Sequence, residues 1–119
     1  MLTSASRPVA RAALEATGLV EIFDAIVSGE EIPRVKPAPD AFLMIARRLD
    51  LSPGDCLAVE DSRSGVLAAR AAGMPVAAVP SPATGHEDFA PADLVLPSLW
   101  ALPKAIGWNG DAIESMVDP

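Results

Sequence analysis

The chain has 119 residues and a formal net charge of −7, from 16 acidic against nine basic side chains. That length allows one domain with a core and not two. The acidic balance counts against nucleic acid as a partner, but not against a small phosphorylated molecule held by a metal or a few placed cations. Half of the residues are hydrophobic, which excludes a disordered chain. Most of these are Ala, Val and Leu, with no Tyr, a composition that suits helices lying close on a buried sheet. The single cysteine, Cys56, excludes an intramolecular disulfide, fits a reducing compartment and sits in an apolar run as a small core residue. No apolar segment is long enough to span a bilayer. No basic stretch followed by an apolar one opens the chain, so the expectation is a cytoplasmic protein with no membrane partner.

Leu2 and Thr3 read as the end of a strand, with Ser4 and Ser6 where it turns into a helix. That helix runs from about Arg7 to Thr17, with Pro8 in its first turn, Val9, Ala13 and Leu14 as apolar positions, and Gly18 as its stop. A capping role is the plain alternative for Ser4 or Ser6. Phe23 to Ser28 reads as a short buried strand. Glu30 to Pro39 is a loop with three prolines, and two of them follow Lys36 in Lys36-Pro37-Ala38-Pro39-Asp40. A proline after the lysine disfavours helix there and the second stiffens the segment, so Lys36 sits on a rigid extended piece. It is either a solvated surface residue or one positioned for an anion. A helix from about Asp40 to Leu49 has Phe42, Leu43, Ala46 and Leu49 on an apolar face and Arg47 and Arg48 on its solvated side.

After the Ser52–Asp55 turn comes Cys56-Leu57-Ala58-Val59-Glu60-Asp61-Ser62-Arg63-Ser64-Gly65: an apolar strand, two adjacent carboxylates, a polar turn and then a helix to about Ala72. In parallel α/β units ligands bind at strand C-termini. Two acids there, beside a helix N-terminus, suggest a divalent cation with phosphate nearby. The alternative is that Asp61 or Ser62 merely caps the helix and Glu60 is a solvated rim residue. Pro75 to Val79 is a further strand, whose first position tolerates proline. Pro80 to Pro91 is loop, and its His86 has no second His or Cys nearby to make a metal site. Asp93 to Leu96 is a last short strand and Leu99 to Ile106 a short helix. Residues 1–107 thus form one core domain and 108–119 an acidic, frayed tail.

Alternating strands and helices imply a mostly parallel sheet covered on both faces, with right-handed crossovers bringing the strand ends to one rim. Ser4, Lys36, Glu60 and Asp61 all follow predicted strands and converge there. A hydroxyl, an ammonium and two carboxylates suit a phosphate beside Mg²⁺.

With these motifs in order, the chain resembles the haloacid dehalogenase-like phosphohydrolases, and among them the branch of phosphoglycolate phosphatases and β-phosphoglucomutases. Thr3-Ser4-Ala5-Ser6 is similar to the family's second motif, "KPAPD" to its third and "VEDSRSG" to its fourth; "AARAAGMPVAAVP" is also typical. The resemblance covers about residues 2 to 100. It implies a Rossmann-like three-layer α/β fold, Ser4 and Ala5 as phosphate-binding residues, and Lys36 as the catalytic lysine that balances charge on phosphate. It also implies Glu60 and Asp61 as Mg²⁺ ligands and a small phosphorylated metabolite as substrate.

The family's first motif, DxDx followed by Thr or Val, which supplies the nucleophilic aspartate, has no counterpart here, nor does the cap domain that selects substrate. Asp24 in "FDAIVSG" matches a different piece of the pattern. The resemblance therefore implies the C-terminal half of such an enzyme, binding metal weakly and inactive alone. In the family sheet order, 5-4-1-2-3, the first strand lies between the strands ending at Asp61 and Thr3. Two unpaired edges would result, inviting self-association or a complementing N-terminal half. The alternatives are a non-catalytic pseudo-phosphatase that binds phosphate or a partner protein, and an unrelated receiver-like or nucleotide-binding module. No Gly-rich phosphate loop or suitably placed receiver aspartate supports the latter.

Overall fold

Three apolar strands lie parallel in the order β1-β2-β3: β1 (Ala58–Glu60), β2 (Val76–Ala78) and β3 (Leu94–Val95). In this computed structural model, residues 1–108 are described. The register sets Val59 against Ala77 and Ala78 against Val95. β2 is buried throughout, which accounts for its uninterrupted run of small apolar residues. Among the described residues the helices are α1 (Arg7–Thr17), α2 (Asp40–Arg48), α3 (Arg63–Ala71) and α4 (Leu102–Ala105), the last preceded by a 3₁₀ turn at Leu99–Ala101. α3 lies on β1 and β2, and α2 lies on α3. Val66, Ala68 and Ala69 of α3 join Phe42, Ile45 and Ala46 of α2, with Val76, Ala78, Met74 and Phe89, in one core. Alanines at these contacts let helix and sheet approach closely, so backbone proximity substitutes for bulky side chains.

Several expectations are corrected in detail. The strand predicted over Phe23–Ser28 shrinks to a single parallel bridge between Val27 and Leu2. Thr3 N–H donates to the Val27 carbonyl and Val27 N–H to the Met1 carbonyl, both at 3.0 Å. On α1 the buried residues are Ala10 and Leu14, while Val9 is exposed. On α2 they are Ala41, Phe42, Ile45 and Ala46, so Leu43 and Leu49 lie outside the buried stripe. Leu14, Phe42 and Ala46 are buried as the helical spacing predicts, and Ala10, Ala41 and Ile45 complete the buried stripes. Arg48 is more than a solvated residue: it donates to the Ile26 carbonyl at 2.6 Å and pairs with Glu31. Glu31 also pairs with Arg7 at 2.7 Å and accepts from the Ser28 N–H at 2.8 Å, tying α1, α2 and the turn at Gly29–Glu31 together. The acidic tail predicted over 108–119 lies outside the described residues beyond Trp108.

One break in the sheet bears on function. Ala58 N–H donates to the Pro75 carbonyl (2.9 Å) and Val79 N–H to the Glu60 carbonyl (2.7 Å), so residues 58 and 60 direct their backbone groups to β2. Alternation along a strand turns the amide and carbonyl of Val59 to the opposite edge. By the same parity, the backbone groups of Leu2 face away from Val27. Between these two edges lies a groove of about 430 Å³, lined by Met1, Leu2, Phe23, Phe42, Leu57 and Val59 among others. Leu57 and Val59 are 40% and 39% exposed there, although the sequence reads as an interior strand.

Candidate active site

Lys36 is held from two sides. Its ammonium donates to Glu60 Oε1 at 2.6 Å and stands 5.6 Å from the centroid of the Phe42 ring. The Glu60 side chain is only 9% exposed and that of Lys36 32%, so the pair is partly shielded and its geometry is fixed. The Lys36–Pro37 peptide is cis. Glu60 owes its place to Gly65: a Cβ at that position would lie 2.0 Å from Glu60 Oε2. The side chain thus folds back against the first turn of α3, in space that only glycine leaves.

Ser62 is the N-cap of α3, and its hydroxyl accepts from Gly65 N–H at 3.2 Å. The capping role therefore falls to Ser62, and the exposed Asp61 is not used for it. At the other end of the site, Ser6 is the N-cap of α1 by backbone position and makes no side-chain cap bond. Ser4 is exposed and does not cap that helix. Thr3 Oγ1 accepts the Ala5 N–H at 3.1 Å, so that amide is engaged within the turn. Gly29 allows this turn to sit where it does: its N–H donates to the Ala5 carbonyl at 3.0 Å, and a Cβ on it would lie 2.4 Å from the Ser4 carbonyl oxygen.

These pieces meet. Thr3, Ser4, Gly29, Lys36, Asp61, Ser62 and Ser64 line one pocket of about 420 Å³, with Leu2, Ile32, Val35 and Ala41 completing its wall. Ser4, Lys36 and Asp61, singled out from sequence, are therefore brought together at the C-terminal rim of the sheet. Glu60 and Ala5 do not line it: Glu60 is held by Lys36 and lines the neighbouring groove, and Ala5 follows Ser4 in the turn. Sequence reasoning gave no role to Gly29 or Gly65, whose lack of a side chain is felt only across a tertiary contact. It also passed over Ser62 and Ser64 as pocket-lining hydroxyls.

The donors facing the pocket are a carboxylate, hydroxyls and an ammonium. Oxygen-only donors suit a hard cation such as Mg²⁺ rather than a soft one. Among the described residues, no group of three or more His, Cys, Asp or Glu side chains is gathered closely enough to hold a metal. The donor set fits Mg²⁺ with Asp61 as its ready carboxylate, and further oxygens have to come from phosphate or another segment. No described helix is long and apolar enough to cross a membrane.

A parallel α/β sheet with a pocket of hydroxyls, a carboxylate and an ammonium at its strand ends defines the class of α/β domains that bind ligands at that rim. Comparison with known proteins narrows it. The family model described as haloacid dehalogenase-like hydrolase matches residues 1–73. The chain belongs to that family. It is 44% identical over 115 residues to hexitol phosphatase A of Escherichia coli, covering 95% of this chain and 51% of that protein. It is 47% identical over 81 residues to the protein CbbY of Rhodobacter capsulatus, covering 68% and 36%. The crystal structure of CbbY from Rhodobacter sphaeroides in complex with phosphate superposes with a TM-score of 0.75 at 39% identity, over 80% of this chain and 44% of that one. A HAD phosphatase from Thermococcus onnurineus gives 0.78 at 28% identity, covering 91% and 50%. The chain spans about half or less of the length of these relatives.

Proposed function

We propose that this chain is the phosphate- and Mg²⁺-binding half of a phosphomonoesterase acting on a small phosphorylated metabolite. The observation that carries the reading is the meeting of Ser4, Lys36 and Asp61 around one pocket. The Ser4 hydroxyl donates to a phosphate oxygen, and the Ala5 N–H exchanges its bond with Thr3 for another. Lys36 acts as the catalytic lysine, neutralising charge on the phosphoryl group, while Glu60 fixes the direction from which its ammonium approaches. Asp61 would hold Mg²⁺, and Glu60, committed to Lys36, would support the site by placing that lysine. When bound, Mg²⁺ supplies Lewis-acid stabilisation of the phosphoryl oxygens. With one ready carboxylate, the chain alone holds the ion weakly.

The nucleophilic carboxylate comes from outside these residues. The groove between Leu2 and β1 offers a place for the strand that would bring it, because Val59 and Leu2 turn backbone donors and acceptors toward each other across apolar walls. A parallel strand seated there would pair with both edges and end beside Lys36 and Asp61. Without one, the same edges favour self-association. The lone cysteine fits a reducing, cytoplasmic setting.

The test is a side-by-side assay with Mg²⁺ on p-nitrophenyl phosphate and sugar phosphates. The samples are the chain alone, the chain co-expressed with the N-terminal half of a relative carrying DxDx[TV], and that pair with the nucleophile changed to Asn. The pair alone should hydrolyse substrate and should be more soluble than the single chain. Lys36→Ala in the pair should cost on the order of a hundredfold, as for other lost electrostatic stabilisers. Robust Mg²⁺-dependent hydrolysis by the purified single chain would overturn the reading, and a pair that is soluble but inert would favour a non-catalytic phosphate- or protein-binding role.

A further inference from the structure

The loop after β2 is fastened to the acidic turn by three side chains from one short segment. Thr84 Oγ1 donates to the Asp61 carbonyl oxygen at 2.5 Å and itself accepts the Ser81 N–H at 2.9 Å. Glu87 Oε2 accepts the Arg63 N–H, the first amide of α3, at 2.5 Å. Arg63 Nη1 donates to the Asp88 carbonyl at 2.8 Å and pairs with Asp88 Oδ2 at 3.1 Å. The loop braces itself as well: Thr84 N–H donates to the Ser81 carbonyl and Glu87 N–H to the Thr84 carbonyl. Backbone atoms on both sides of Ser62 are thus pinned by groups more than twenty residues away, whereas the Asp61 side chain is left facing the pocket.

We propose that Thr84 and Glu87 are positioning residues for the Asp61 carboxylate, so that the affinity of the pocket for a divalent cation depends on this loop although none of its side chains lines the pocket. The physical reason is orientation. Asp61 is exposed and follows the last residue of β1, so only bonds to its own backbone and its neighbours' limit where its carboxylate points. A ligand held by an outer partner loses less freedom when it binds. Thr84 is the sharper of the two, because its hydroxyl carries no charge and acts on Asp61 only through the carbonyl. This inference rests on Asp61 as a metal ligand, and the test separates the two ideas.

Mn²⁺ serves as a probe for Mg²⁺, with binding to the full chain read from water-proton relaxation, and ¹⁵N–¹H spectra report on folding. Asp61→Asn should abolish binding. Thr84→Val should weaken it by on the order of tenfold, at the low end of the cost of losing an outer partner of a metal ligand. Thr84→Ser, which keeps the hydroxyl, should restore it to within about twofold of the parent. In Thr84→Val the amides of Asp61 to Arg63 should exchange faster while those of β2 do not. Equal Mn²⁺ affinity in the parent, Thr84→Val and Thr84→Ser chains would overturn this inference and leave the metal site standing. No Mn²⁺ binding by the parent would remove the metal site and this inference with it. If Thr84→Val disturbs the whole spectrum, Thr84→Ser with weakened binding and an undisturbed β2 would still refute the role of the hydroxyl.

Discussion

Replacing Gly65 with alanine should reverse the usual sign of that substitution. Inside a helix, alanine for glycine stabilises by about 0.8–1.0 kcal/mol. Here the new methyl would lie 2.0 Å from Glu60 Oε2, 2.3 Å from its Cδ and 2.9 Å from its Cγ. Carbon contacts settle near 3.5–4.0 Å, so the carboxyl must retreat by more than about 1 Å. It has little room to do so, since the side chain is 9% exposed and its other oxygen is 2.6 Å from the Lys36 ammonium. Overpacking of this kind costs about 1–3 kcal/mol. Against the propensity gain, the net is a loss of up to about 2 kcal/mol, the upper part of the range applying if the ion pair is also strained. Urea unfolding measures it. The Glu60→Ala background removes all three clashing atoms, and there Gly65→Ala should stabilise by about 1 kcal/mol. The double-mutant cycle should therefore give a coupling equal to the overpacking cost, about 1–3 kcal/mol. Stabilisation by Gly65→Ala in both backgrounds would show that Glu60 does not lie against α3 and would undo the placement of Lys36 with it.

Two further perturbations probe the turn at Gly29–Glu31. Gly29→Ala would set a Cβ 2.4 Å from the Ser4 carbonyl, which is backbone and cannot swing aside, so it should destabilise by about 1–3 kcal/mol in urea unfolding and shift the Ser4 and Ala5 amide resonances. Hydrogen bonding to Arg48 and to the Ser28 amide lowers the Glu31 carboxyl from the ordinary value of 4.5 to about 2. A carboxyl so depressed contributes stability that is fully present above its unfolded value and lost as pH falls through its folded one. Comparing urea midpoints of the parent and Glu31→Gln, the gap should be largest at neutral pH and narrow as pH drops from 4.5 toward 2. A gap independent of pH would mean the charge of Glu31 is not what ties α1 to α2.

The sequence made the α/β pattern, the helix ends and the rim residues legible because those depend on local signals. Pro8 and Gly18 frame α1, the run before Glu60 gives β1, and Asp40 opens α2. It overstated Phe23–Ser28 as a strand because apolar character there supports a single bridge at Val27, with ladder partners on one side alone. It placed Leu14, Phe42 and Ala46 in the buried stripes of α1 and α2 but extended them to Val9, Leu43 and Leu49, which are exposed, and passed over Ala10, Ala41 and Ile45, which are buried. For the site, Ser4, Lys36 and Asp61 followed strand ends and so could be placed on one rim. The Lys36–Glu60 pair and the grip of Thr84 and Glu87 on the acidic turn span 23 or 24 residues of separation and leave no local pattern.

The central claim is that Ser4, Lys36 and Asp61 form one anion pocket completed by a divalent cation. A titration of the ¹⁵N-labelled chain with inorganic phosphate in the presence of Mg²⁺ addresses it without requiring turnover. The amides of Ser4, Ala5, Lys36 and Asp61 should shift together along one saturating curve, Lys36→Ala should flatten that curve, and withholding Mg²⁺ should move its midpoint to higher phosphate. Shifts confined to other parts of the chain, or a response at these four amides that survives Lys36→Ala unchanged, would contradict the claim.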